Sequence, residues 1–257
     1  MATMETSGRN GSTAGANDKQ PDTDLGAPIR PAGSSLETWD RIADAYDAAR
    51  AHDRVYQTCL ATTTRAIEAL KPRRLMDAGC GTGLATLPLC VRGRTVAAVD
   101  HSSASLTVLR GKSGAAQAFQ ADVRALPFLS GTFDVVLCAN TLQHLAPAQQ
   151  LLAVNELQRL VARGGSLVVT VHHFSEVKRR AGWIKEGRPG QPGIDYIFRF
   201  TVDDLARLLP GARIAAMGLG EWPWLPSRLQ ELLSESFVGP SLAKNGYGHM
   251  LLAVQNR

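Results

Sequence analysis

The residues best suited to chemistry lie in the stretch Leu75-Met76-Asp77-Ala78-Gly79-Cys80-Gly81-Thr82-Gly83, where an apolar strand runs into a glycine-rich turn. Glycines there let the backbone approach a ligand and adopt conformations closed to other residues. The start of the helix expected next adds the positive end of a dipole. The dinucleotide fingerprint is GxGxxG, which serves a pyrophosphate. Here the spacing is GxGxG, and Asp77 precedes it at the strand end. A carboxylate at that place would repel a pyrophosphate but can, with its neighbouring backbone, hold an ammonium group. The ligand so described is cationic at one end and carries an amino acid. A second acid, Asp100, ends the run Val96-Ala97-Ala98-Val99, 17 residues beyond Gly83. A carboxylate there can accept both hydroxyls of a ribose. A third, Asp122, follows Gln120-Ala121 and suits an acceptor for an adenine amino group. Three acids at the carboxyl ends of three successive strands match amino acid, ribose and adenine in turn.

These acids need a parallel sheet to bring them to one edge. From Arg74 onward short apolar strands are expected at about 74–78, 95–99, 117–121, 133–139 and 165–171, with helices at about 84–91, 103–110 and 147–161. Strands buried on both faces and joined by helices read as an α/β fold. A helix at about 201–209 and strands at about 212–217 and 247–254 complete a seven-stranded, mostly parallel sheet with helices on both faces. Upstream, Ser34 and Glu37 have the spacing of a capping box, and Leu36, Trp39, Ile42, Ala43 and Tyr46 recur at helical intervals. A second helix, with Val55, Cys59, Ile67 and Leu70 on one face, ends near Pro72. Residues 1–33 are Gly-, Ser-, Thr-, Asp- and Pro-rich and read as a disordered leader. Residues 34–257 read as a single domain.

The chain resembles the class I S-adenosylmethionine-dependent methyltransferases, in particular the small-molecule group typified by the ubiquinone and menaquinone methylases. The matching text is L-M-D-A-G-C-G-T-G, V-A-A-V-D-H-S, A-D-V-R-A-L-P-F-L-S-G-T-F-D-V-V, A-N-T-L-Q-H-L and L-V-A-R-G-G-S-L-V-V-T, in the family's order over about 74–171. The helix W-D-R-I-A-D-A-Y-D is similar to the family's amino-terminal lid helix. The resemblance implies a Rossmann-like fold with S-adenosylmethionine as cofactor and S-adenosylhomocysteine as product. It implies that Asp77, Gly79 and Gly81 line the methionine moiety and that Asp100, with His101 beside it, binds the ribose. Asp122 and Val123 would flank the adenine, Asn140 would sit near the sulfonium, and Tyr46 would close over the cofactor from the lid. Within 34–257 this divides the chain into lid helices at 34–72, a cofactor-binding nucleus at 74–172, and substrate cap segments at 173–200 and 219–245.

An oxygen acceptor must usually lose its proton, and histidine suits that task near neutral pH. His144 follows the fourth strand, and His172 and His173 follow the fifth, all at the edge where ligands bind in open α/β sheets. His144 is the first candidate base and His173 the second; the alternative for each is a structural histidine. Strand alternation sends His172 and His173 to opposite faces, so one of them should reach the site.

All four tryptophans (Trp39, Trp183, Trp222, Trp224) lie outside 74–172. Trp183, Tyr196, Phe198 and Phe200 follow the fifth strand, and Trp222-Pro223-Trp224-Leu225-Pro226 precedes the last. Such segments can wall a small-molecule pocket or simply pack onto the sheet. Residues 173–200 carry six basic side chains against three acidic ones, an excess able to attract an anionic group on an aromatic or apolar acceptor. Oxygen is the first acceptor atom to consider, then nitrogen, then carbon. The competing functions are an RNA or protein methyltransferase, and a non-methylating cyclase, isomerase or binding protein on the same fold.

Composition narrows the field further. The 257 residues are 44% hydrophobic and 20% charged, which excludes collagen-like, coiled-coil and wholly disordered chains. No apolar run is long enough to cross a bilayer, and no secretory h-region is visible. Cys59, Cys80, Cys90 and Cys138 have no metal-ligand spacing and read as free thiols of a cytoplasmic protein without a metal. The net charge of +5 is not gathered into a long Lys/Arg block, which argues against a nucleic-acid partner.

Overall fold

In the computed structural model, residues 36–189, 194–218 and 248–257 are described. Two helices come first, α1 (Leu36–Ala51) and α2 (Arg54–Leu70). Then follow β1 (Arg74–Ala78), β2 (Thr95–Asp100), α3 (Ser103–Lys112), β3 (Gln117–Gln120), β4 (Phe133–Ala139), α4 (Pro147–Leu160) and β5 (Val161–His172). The chain continues through α5 (Glu176–Arg180), β6 (Glu186–Gly187), β7 (Ile197–Phe198), α6 (Val202–Leu208), β8 (Arg213–Met217) and β9 (Met250–Asn256). The expected leader (1–33), the Ser34 cap and the segment 219–245 with Trp222 and Trp224 lie outside the described residues.

Seven strands form one sheet in the order β3-β2-β1-β4-β5-β9-β8. The first five pair in parallel, and β9 runs antiparallel between β5 and β8. This is the α/β, Rossmann-like arrangement expected from the sequence. From β1 the chain winds outward to β2 and β3, then returns to β4 on the other side of β1. The carboxyl ends of β1 and β4 therefore flank the point where strand order reverses, the crevice in which open α/β sheets bind ligands.

The central strands are apolar on both sides because helices cover both. Met76, Val136, Cys138, Leu167 and Val169 pack against Ala153, Val154, Leu157 and Leu160 of α4 and Leu205 of α6. Their strand neighbours Leu75, Val135, Leu137 and Val168 face the other way, onto Cys59 and Ile67 of α2. A smaller cluster seats Leu106 and Leu109 of α3 on Ala98.

Three elements depart from the sequence reading. The helix expected over 84–91 is one α-type turn, Gly83 carbonyl to Leu87 N–H, followed by a 3-10 turn at Leu87–Leu89. Pro88 lacks the N–H that a helix from residue 84 would need, so the ladder cannot continue. The helix expected to reach 161 ends at Leu160, because Val161 pairs with Phe133 and opens β5. Within 173–200, expected to be irregular, lie α5 and a two-stranded pairing of β6 with β7. The last strand begins at Met250, and the residue before Met250's neighbour His249, Gly248, has φ 90°.

Candidate active site

The turn after β1 is held by backbone. The N–H groups of Gly79 and Cys80 both donate to the Val99 carbonyl, at 2.7 and 3.0 Å, which ties the glycine turn to the end of β2. Gly79 (φ 80°) and Gly81 (φ 51°) sit in the left-handed region but for different reasons. A Cβ on Gly79 would lie 2.1 Å from the Thr141 hydroxyl, so the chain after β4 closes directly on this glycine. A Cβ on Gly81 would meet nothing within 4 Å, so that glycine borders open space.

Asp100 locks the same turn from β2. It accepts from the Gly81 N–H at 2.8 Å and, through its other oxygen, from the Ser102 N–H at 2.9 Å. A carboxylate has about four acceptor positions, so these two N–H groups do not exhaust it. His101 is half-buried with Nδ1 3.5 Å from Asp100, whose hydrogen bond raises the imidazole pKa against the opposing effect of burial.

Asp77 is fully buried. One oxygen accepts from the Thr86 hydroxyl at 2.6 Å, and the other has no partner. Burial raises its pKa to about 7; Thr86 opposes the shift and Asp100 adds to it. Asn140, at the end of β4, holds φ 55°, and its side-chain oxygen is also buried without a partner. Such strain in a non-glycine residue is found where structure fixes a functional group.

Helix α1 closes this edge from above. Tyr46 and Arg50 stand one turn apart, and the guanidinium lies 5.4 Å from the Tyr46 ring and 5.3 Å from that of Tyr56. Arg50 Nε is buried without a partner. Tyr56 and Asn140 line a common pocket with Ala85, Ala139, Thr170 and Met250. Asp77 and Asn140, at the carboxyl ends of the paired strands β1 and β4, each keep an unpartnered acceptor, and Arg50, whose Nη1 pairs with Asp53 at 3.3 Å, keeps an unpartnered Nε. That set is complementary to the ammonium and carboxylate of an α-amino acid.

Further contacts fix α1 in place. Asp40 accepts from the Ser102 hydroxyl at 2.6 Å and the Ala104 N–H at 3.2 Å, at the start of α3. Asp47 accepts from the Thr82 hydroxyl at 2.6 Å and pairs with Lys112. Thr38 donates to Asp195. None of these partners was singled out in the sequence, because a carboxylate on a solvated helix face carries no local signal; Arg50 could have been found from its i, i+4 spacing to Tyr46.

The remaining sequence candidates are placed as follows. Asp122 turns back on its own chain, accepting from the Arg124 N–H at 2.8 Å and pairing with its guanidinium, which lowers its pKa. Val123 is half-buried and packs against the core. His144 stacks edge-on to Trp39 with ring centroids 4.6 Å apart. Its Nδ1 faces the Tyr196 carbonyl at 3.2 Å. A carbonyl can only accept, so Nδ1 carries the hydrogen and Nε2 the lone pair, with the Gln143 amide 3.4 Å away. Burial lowers the His144 pKa to about 4, so the ring is neutral at physiological pH.

The neighbouring histidines His173 and His172 stand in different surroundings. His173 is buried, with Nδ1 3.1 Å from the Gly248 carbonyl. His172 is half-buried and is the one whose charge interacts with His144 and Arg50; burial, then Lys178, hold its pKa well below the usual range. Alternation along β5 explains the division between them. Among the described residues no group of histidine, cysteine and carboxylate side chains could hold a metal ion, and all four cysteines are unpaired. No helix among them is long and apolar enough to cross a membrane.

Comparison with known proteins follows the same lines. Residues 76–169 match the family described as Methyltransferase domain. An uncharacterized methyltransferase of Mycobacterium tuberculosis (strain ATCC 25618 / H37Rv) is 34% identical over 140 residues, covering 51% of this chain and 55% of that protein. A demethylmenaquinone methyltransferase of Thermus thermophilus is 36% identical over 104 residues, 38% of this chain and 46% of that one. The chain thus spans about half the length of the curated relatives it matches. A solved S-adenosylmethionine-dependent methyltransferase of Thermotoga maritima, described as a possible histamine N-methyltransferase, superposes with a TM-score of 0.64 at 17% identity, covering 86% of this chain and 99% of that one. Residues 76–169 thus match the methyltransferase-domain family, and the chain shares the fold of that solved S-adenosylmethionine-dependent methyltransferase.

Proposed function

We propose that this chain methylates a small-molecule acceptor, at oxygen in preference to nitrogen or carbon, and releases S-adenosylhomocysteine in a cytoplasmic setting. The observation that carries the reading is the pair of unpartnered buried acceptors, Asp77 Oδ1 and Asn140 Oδ1, at the ends of β1 and β4, with the unpartnered Nε of Arg50 on α1. An isolated buried polar atom costs about 1–3 kcal/mol. Two acceptors and one cationic donor fit the zwitterionic end of the cofactor.

On this reading Asp77 and Asn140 hold the ammonium and Arg50 the carboxylate. Gly79 and Gly81 let the backbone pass close to the methionine moiety. Asp100, already oriented by Gly81 and Ser102, accepts the ribose hydroxyls with His101 beside it. Asp122 and Val123 flank the adenine, and Tyr46 covers the cofactor from α1. When bound, the sulfonium supplies an electrophilic methyl group and a neutral leaving group.

The chain's own task is then to orient the acceptor and to take its proton. His144 Nε2 is the acceptor for that proton, because Nδ1–H is committed to Tyr196. The ring packs edge-on against Trp39 of α1. The name of the demethylmenaquinone relative supports a small acceptor, as does the absence of a long basic block.

The test is to incubate the pure chain with methyl-labelled cofactor and an extract of the native host, then to separate organic-soluble, RNA and protein fractions. Label in the organic fraction is expected. Label lost on ribonuclease or protease treatment would replace the reading with an RNA or protein methyltransferase. No transfer beside tight S-adenosylhomocysteine binding would favour a non-methylating enzyme on this fold.

A further inference from the structure

A fourth buried side-chain atom has no partner: Nε of Arg199. Arg199 follows β7 and is only 2% exposed. Its guanidinium lies 4.9 Å from the Trp183 ring, and Nη1 donates to the Ile184 carbonyl at 2.7 Å. Among the described residues no carboxylate pairs with it. An uncompensated buried cation is costly, and proteins keep such groups where a counter-charge meets them.

The surroundings say what the counter-charge belongs to. Arg199 sits between Tyr196, whose carbonyl holds His144, and Phe200, whose N–H donates to the His172 carbonyl at 2.8 Å. Burial holds the half-buried His172 below its usual pKa, and Lys178 of α5, His144, Arg199 and Arg50 of α1 add to the shift. The Lys178 ammonium donates to the carbonyls of His173 and His249, each at 3.0 Å. Arg50 serves the cofactor end. Arg199 is left with an unused donor in a guanidinium fork, the side-chain geometry best matched to an oxyanion.

We propose that Arg199, backed by Trp183 and next to His172, is the subsite for an oxyanion on the acceptor, a carboxylate or a phosphate. The proposal rests on the methyltransferase reading only in assigning the anion to the acceptor. It narrows the acceptor class to molecules that carry a negative charge on the side of His172.

The test uses the full chain saturated with S-adenosylhomocysteine at constant ionic strength. Benzoate, phenyl phosphate and neutral benzyl alcohol are titrated in turn while tryptophan emission is followed. At least one anion is expected to saturate, at least tenfold tighter than the alcohol; which one does so separates carboxylate from phosphate. Trp183→Phe should remove most of the signal. Arg199→Gln should weaken the anion at least tenfold and leave S-adenosylhomocysteine affinity, measured by calorimetry, unchanged. Arg199→Lys keeps the charge and should retain part of the anion binding, which supplies a folded comparison if the glutamine variant does not fold. Equal binding of alcohol and anions, no saturable response to either anion, or wild-type anion affinity in Arg199→Gln would overturn the proposal. Failure to bind S-adenosylhomocysteine would defeat the methyltransferase reading and leave the anion result standing.

Discussion

Gly79 and Gly81 share a backbone region but should fail differently. Alanine at Gly79 needs an unfavourable φ and overlaps Thr141; backbone strain of about 1–3 kcal/mol and a similar overpacking penalty are expected as lost stability in urea unfolding. Alanine at Gly81 keeps only the φ penalty and projects into the open space, so stability should fall by about half as much as at Gly79 while S-adenosylhomocysteine affinity falls at least tenfold, about 1.4 kcal/mol. Equal losses of stability in the two variants would contradict that division. Asp100→Ala should weaken cofactor binding by at least tenfold as well, and unchanged affinity by calorimetry would remove the ribose assignment. For the base, His144→Ala should lower turnover roughly a hundredfold with cofactor affinity retained; full activity would leave no role for that ring. At this scale the sequence revealed residues whose type is rare at strand ends. Asp77, Asp100 and Asn140 were legible because a polar residue closing an apolar strand stands out. Thr86 and Arg50 were not, since their importance comes from whom they meet.

Helix α1 is joined to the nucleus mainly by polar contacts. Asp40 reaches the start of α3, Asp47 reaches Thr82 and Lys112, and Thr38 reaches Asp195. Each is worth about 0.5–1.5 kcal/mol, more where a charge is shared. A lid held this way can lift without breaking the core. Asp47→Ala removes two of the contacts and should speed S-adenosylhomocysteine dissociation about fivefold in stopped-flow measurements, equivalent to about 1 kcal/mol. An unchanged rate would mean that α1 does not gate release. The apolar periodicity that marked the element as a helix said nothing of these latches. Periodicity also overstated the segment after Gly83, where a single proline outweighed the pattern, and it passed over α5 and the β6–β7 pair, which are too short to show a period.

Over the whole molecule, two buried groups pull stability in opposite directions with pH. Asp77 is raised from 3.8 to about 7, so its protonated native form contributes stability that is full below pH 3.8 and is lost as pH rises through 7. His144 is lowered from 6.5 to about 4, so its contribution is full above pH 6.5 and is lost as pH falls through 4. Asp77→Asn removes the first effect alone. Between pH 5 and 7 its stability relative to wild type should rise by about 1.4 kcal/mol per pH unit, checked by urea unfolding at several pH values. A pH-independent difference would show that Asp77 is ionised throughout.

The placement of β9 bears on how the molecule is made. It pairs with β5 over seven positions and with β8 over five, so β8 has no neighbour in the sheet until β9 arrives. On a ribosome, β5 is complete at His172, while the first residue of β9 is Met250. At roughly 5–20 residues per second, the outer edge of β5 stays bare for on the order of 4–16 s of synthesis. Val168, Val169 and Val171 make that edge apolar as well as rich in unpaired backbone groups. The nascent chain therefore passes through an interval in which it is a partner for any strand that meets it, and a translational pause within that interval would prolong its exposure to chaperones and to its own neighbours on the same message.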